Sequence, residues 1–134
     1  MLKIVHVPND VLTTPTLPVK KFDGSIQKLI KNMESTLNSL TELIGVGLAA
    51  PQVGSNLSLF IMKPTQKSQI RALVNPRIVS ISPIPKARKS SSKKKRKPSR
   101  FEGCLSIPKI WSPVKRSQKV LVEYQTPEGE TKKD

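Results

Sequence analysis

Glu102-Gly103-Cys104-Leu105-Ser106-Ile107-Pro108 holds the only cysteine of the chain and lies between a long basic run and the only tryptophan, Trp111. A glycine beside a cysteine lets backbone come close, because no side chain stands in the way. Ser106 and Pro108 predict an irregular or edge conformation rather than a central strand. A lone thiol of this kind is most often an inert, buried small hydrophobe. The functional alternatives are a metal ligand and a nucleophile, and each needs partners from elsewhere in the chain.

A second stretch lies upstream. Gly45-Val46-Gly47-Leu48-Ala49-Ala50-Pro51-Gln52-Val53-Gly54 is rich in glycine and alanine and carries one amide side chain. Small residues permit close backbone packing, and Gln52 offers two donors and an acceptor. By itself the stretch reads as a tight turn between helix and strand. Together the two stretches resemble the first and second signature motifs of peptide deformylases, in the family's order and at about its spacing. The similarity extends thinly from Ile4 to about Glu130.

The resemblance implies an α+β fold, one long amphipathic helix packed by small, mostly antiparallel sheets. It implies a metallohydrolase that removes the N-terminal formyl group from formyl-methionyl nascent polypeptides. Its single divalent metal is ferrous iron in the family, with zinc or nickel as alternatives. That metal is held by the second-motif cysteine and by two histidines of a third motif, His-Glu-x-x-His, on a late central helix. A cation of this kind makes its bound water a usable nucleophile near neutral pH. By motif position, Cys104 is the metal ligand, and Gln52 and the N–H of Leu105 hold the tetrahedral oxyanion. Gly47 and Gly103 pair with the substrate peptide as with an added strand. Val46 and Glu102 belong to the same wall, and Trp111 lines the side-chain pocket.

The third motif is absent from the sequence, and the only histidine is His6. A histidine on such an N-terminal segment reads as structural or solvent-facing. One thiolate falls short of the about three protein ligands of a catalytic metal site. The expectation is therefore a single, incomplete deformylase-like domain, truncated at its C-terminus and inactive as it stands, with an apolar groove exposed where the late helix would sit. The alternative is a non-catalytic binding protein that contacts RNA or the ribosome.

Composition bounds these readings. At 134 residues the chain is one domain at most, with a lean aliphatic core given 36% apolar and 4% aromatic residues. The formal charge is +15, from 24 basic and 9 acidic residues. Nine of the basic residues fall between Lys86 and Arg100, and removing them leaves an excess of +6. That segment, KARKSSSKKKRKPSR, reads as a solvated insertion at about 86–100. Its functional alternatives are contact with RNA phosphates and a Lys/Arg address, since Lys93 to Lys97 resembles a nuclear import signal. One cysteine rules out an internal disulfide and fits a reducing compartment. No apolar stretch approaches the about 20 residues that span a bilayer. The N-terminus lacks a signal-peptide layout. A cytoplasmic monomer with no membrane partner is expected.

Along the chain, Leu2 to Val7 predicts a short edge strand, and Pro8 to Pro18 a loop or extended wrap. Ile26, Leu29, Ile30, Met33, Leu37, Leu40 and Ile44 recur at helical spacing. They predict one amphipathic helix near Ser25 to Leu43, capped by Asp23 and stopped by Gly45 and Gly47. Strands are predicted at Leu57 to Met62, Ile70 to Val74, Ile78 to Ile84 and Lys119 to Tyr124. Thr126-Pro127-Glu128-Gly129 predicts a turn, with the return strand of a hairpin after it.

Overall fold

The computed structural model describes residues 1–40, 46–65, 67–83 and 101–134. The predicted basic insertion at 86–100 lies outside the described residues, as does Gly45. The predicted helix is α1, Gly24–Ser39. The Asp23 side chain caps it by accepting from the Ser25 N–H at 2.9 Å, and its hydrogen bonds to Ser25 hold the carboxyl below the usual aspartate range. Ile26, Ile30, Met33 and Leu37 are buried along one face, the stripe that their spacing predicts.

The helix ends earlier than expected, at Ser39 with Leu40 as its C-cap. Hydroxyls in its last turns bond back to the backbone: Thr36 to the Asn32 carbonyl at 2.8 Å, and Ser39 to the Thr36 carbonyl at 2.7 Å. Such back-bonding competes with the helical ladder. Leu40 leaves the helical region at φ −82°, ψ 87°.

A five-stranded antiparallel sheet packs against this helix. Its strands are β1 (Gly47–Ala49), β2 (Leu59–Met62), β3 (Arg71–Ile81), β6 (Val120–Gln125) and β7 (Thr131–Lys133), in that spatial order. A separate two-stranded ribbon joins β4 (Phe101–Cys104) to β5 (Ile107–Pro113). Among the described residues, one α-helix and two small antiparallel sheets make the α+β fold that the resemblance implies. Met33, Leu48, Ile61 and Val74 are the largest fully buried side chains, joining α1 to β1, β2 and β3. Each such aliphatic stabilises by about 1.5–3 kcal/mol through burial.

The two strands expected on either side of Asn75-Pro76 are one. β3 runs through the pair, with a register shift between Val74 and Arg77 opposite β6. Asn75 takes φ 49°, a conformation that asparagine tolerates better than most residues. Its side chain accepts from the Val19 N–H at 2.8 Å and donates to the Val19 carbonyl at 2.9 Å and to Gln125 Oε1 at 2.7 Å. Pro76, which has no N–H to give, sits in the bulge where no ladder bond is needed.

The segment Leu2 to Val7 is not a strand. It is attached through three backbone N–H groups: Leu2 donates to Thr36 Oγ1 at 2.8 Å, Val5 to the Gln52 carbonyl at 2.8 Å and Val7 to the Ser106 carbonyl at 3.0 Å. The Pro8 to Pro18 wrap contains a 3-10 turn at Asp10–Leu12. The predicted hairpin is present. Gly129 takes φ 92° and donates to the Thr126 carbonyl at 2.9 Å, and β7 returns against β6 with Glu123 opposite Lys133. Arg71 bonds the Tyr124 hydroxyl at 2.7 Å and the Asp134 carboxylate, and these contacts raise its pKa.

Ile78, Val79, Ile81, Val120 and Leu121 are exposed along the outer parts of β3 and β6. Among the described residues no helix is long and apolar enough to cross a membrane.

Candidate active site

The first stretch is shaped by close approach. A Cβ on Gly47 would lie 3.1 Å from the Ile61 carbonyl oxygen, so pairing of β1 with β2 at that point favours glycine. Val46 is exposed beside it, and its carbonyl accepts from the Lys63 N–H at 2.7 Å. After β1 the chain tightens into a 3-10 turn over Ala50–Val53, with Pro51 near its start and Gly54 closing it at φ 84°. Proline supplies the helical φ at no cost in donors there, and glycine accepts the left-handed geometry.

Within that turn Gln52 is held at its oxygen. Oε1 accepts from the Ala49 N–H at 2.9 Å, so the NH₂ end is turned the other way. Nε2 donates to Ser106 Oγ at 3.3 Å and to Cys104 Sγ at 3.8 Å. Cys104 ends β4 and is exposed rather than buried, against the common fate of a lone thiol. Leu105 and Ser106 form the two-residue link to β5. Leu105 packs against the core, and Ser106 is buried.

Gly103 faces Trp111 across the ribbon. A Cβ there would meet the indole at 3.1 Å, so the ring lies on bare backbone. The next pair is Cys104 with Ile107, so Pro108, Lys109 and Ile110 bulge from β5. Val46, Gly47, Gln52, Glu102, Gly103, Cys104, Leu105 and Trp111 all line one cleft of about 540 Å³. The structure thus brings together every residue that the two motifs single out. His6 is exposed and is not among the residues that line this cleft.

Two residues of the site were missed by sequence reasoning. Ser106 was read only as a sign of irregular backbone, yet its buried hydroxyl holds the Gln52 amide. The signal available was a small hydroxyl two positions after the cysteine, which is weak. Arg116 is the other. Its guanidinium grips the Glu102 carboxylate through bonds of 2.7 and 3.1 Å, and this holds the Glu102 pKa below the usual glutamate range. Opposite charges fourteen positions apart carry no such message in the sequence.

The donors themselves decide the fit to a metal. Among the described residues no three His, Cys, Asp or Glu side chains gather where a cation could bind. Glu102, the carboxylate nearest Cys104 in sequence, is committed to Arg116. One sulfur does not make a catalytic cation site, so the described donors do not by themselves fit the metal.

Comparison with known proteins agrees with this geometry. The family model for polypeptide deformylase matches residues 1–133. A peptide deformylase of Desulfosudis oleivorans is 38% identical over 132 residues, covering 96% of this chain and 68% of that protein. One of Thermotoga petrophila is 35% identical over 130 residues, covering 97% and 69%. Among solved structures, the Thermotoga maritima peptide deformylase superposes with a TM-score of 0.82 at 34% identity, over 100% of this chain and 80% of that one. The Legionella pneumophila enzyme gives 0.81 at 32% identity, over 100% and 70%. With both motifs lining one cleft, and with sequence and backbone matching along nearly the whole chain, this protein belongs to the polypeptide deformylase family.

Proposed function

We propose that the cleft takes the formylated N-terminus of a new polypeptide and that Gln52 and the Leu105 N–H hold the formyl oxygen as it gains charge. The observation that carries this reading is the 3.8 Å approach of Gln52 Nε2 to Cys104 Sγ. An amide fixed at its oxygen presents its N–H groups without reorganising, which is what stabilises an oxyanion. Gly47 on the edge strand β1 and Gly103 on β4 offer bare backbone on the two walls. An extended peptide pairs with such edges through main-chain bonds. Trp111 and the exposed Val46 give apolar surface for the methionine side chain.

The family is metal-dependent (ferrous iron by resemblance, with zinc or nickel as alternatives), and Cys104 would be one ligand of such a cation, with no group of three such ligands among the described residues. What this chain's own described residues supply is binding, orientation and stabilisation of the oxyanion.

Trp111 gives a direct readout, since the only tryptophan lines the cleft. Titration with formyl-Met-Ala-Ser amide is expected to shift its emission at concentrations about tenfold below those needed for the acetyl analogue. The extra methyl crowds the carbon beside the oxygen donors, and one such group is worth about tenfold. Equal binding of the two peptides, or no response to either, overturns the reading.

A further inference from the structure

Among the described residues two charged side chains line the cleft, Glu102 and Lys109, and they are not balanced against each other. Glu102 is already satisfied by the two-pronged grip of Arg116, so its charge is neutralised at the wall. Lys109 stands in the bulge of β5, and none of the ion pairs among the described residues includes it. It takes φ 64°, the left-handed region where glycine or asparagine is the expected occupant. Bulges of this sort re-aim a side chain, and this one carries a long cation at the cleft lining. Among the described residues, the charge left on the cleft wall is therefore positive.

We propose that Lys109 is a specificity-determining residue that favours peptides carrying a carboxylate in the residues after the formylated methionine. This inference rests on the formyl-peptide reading above. The carboxylate is that of an aspartate or glutamate side chain, or the free C-terminus of a short peptide; both have the same chemistry. An exposed pair of this kind gives a modest preference, about 2- to 5-fold, which salt screens.

The test uses Trp111 emission and three peptides: formyl-Met-Ala-Asp amide, formyl-Met-Ala-Asn amide, and formyl-Met-Ala-Asn with a free C-terminus. The aspartate amide is expected to bind about 2- to 5-fold more tightly than the asparagine amide at low salt, with the difference shrinking at high salt. Lys109→Gln is expected to abolish the preference and Lys109→Glu to reverse it. Lys28→Gln, on the exposed face of α1, is expected to leave it intact, which separates a local contact from the field of a basic protein. A preference confined to the free-acid peptide supports the same contact with the chain end as its source. Equal affinity for all three peptides, or a preference that survives Lys109→Gln or falls equally with Lys28→Gln, overturns the inference while the formyl-peptide reading stands. No response of Trp111 to any formylated peptide overturns both.

Discussion

Gln52 Nε2 lies 3.8 Å from Cys104 Sγ, although 52 positions separate the two residues in the chain. Neither end of that amide is loose, since Ala49 holds its oxygen and Ser106 its nitrogen. Orientation is therefore built into the fold rather than acquired when a ligand arrives.

Two substitutions at Gln52 separate these roles. Gln52→Glu keeps an acceptor for the Ala49 N–H, and the Ser106 hydroxyl is able to donate to it. Its stability is expected to stay within about 0.5 kcal/mol of the parent, while discrimination between formyl and acetyl peptides is lost. Gln52→Leu leaves the Ala49 N–H without its partner and is expected to cost about 1–3 kcal/mol as well. Urea unfolding and Trp111 titration measure the two effects. A Gln52→Glu protein that still discriminates removes Gln52 from the oxyanion site.

Gly47→Ala and Gly103→Ala meet obstacles at the same 3.1 Å, but of different kinds. At Gly47 the obstacle is the Ile61 carbonyl, fixed in the sheet. At Gly103 it is the Trp111 ring, which is 54% exposed and free to tilt. Gly47→Ala is expected to lose about 1–3 kcal/mol of stability, in the range of overpacking. Gly103→Ala is expected to lose less and to shift the Trp111 emission maximum. Equal losses with an unchanged spectrum would refute the distinction.

The Glu102–Arg116 pair sets a pH dependence. Glu102 has its folded pKa lowered, chiefly by its hydrogen bonds to Arg116 and then by that residue's charge. Its contribution is present above the ordinary glutamate pKa and is lost as pH falls through the lowered one. Arg116→Gln is therefore expected to be less stable than the parent at neutral pH, with the gap closing below about pH 4. Parallel urea titrations across that range decide it, and a gap independent of pH counts against the pair.

Asn75→Ala is expected to destabilise by about 2–3 kcal/mol, because it strips the Val19 N–H and carbonyl of their partners and places alanine at φ 49°. Asn75→Gly relieves only the backbone and is expected to recover less than half of the loss. Full recovery by glycine would mean that backbone strain, not the bridge to Val19, dominates.

The same residue marks where sequence stopped being informative. Local periodicity revealed α1, because Ile26, Ile30, Met33 and Leu37 report their own neighbours. The Thr126–Gly129 turn likewise announced β6 and β7. Asn75-Pro76 reads as a break by every local rule, yet the strand continues, because Asn75 is held by residues 56 and 50 positions away. The cleft divides in the same manner. Gln52, Cys104 and Leu105 stood out through motif resemblance, whereas Ser106 and Arg116 matter through contacts that only the folded chain makes. Leu2 to Val7 reads as an edge strand, yet its N–H groups bond to Thr36 of α1 and to the site's own turns at Gln52 and Ser106, not to a neighbouring strand.

The attachments of this segment also order events in time. The carbonyl that receives the Val7 N–H belongs to Ser106, which follows it by 99 positions. At about 5–20 residues per second a growing chain needs about 5–20 s to span that interval. The part of the cleft held by Val7 therefore closes only after that whole interval has been made, whereas the Leu2 bond to Thr36 needs 34 positions.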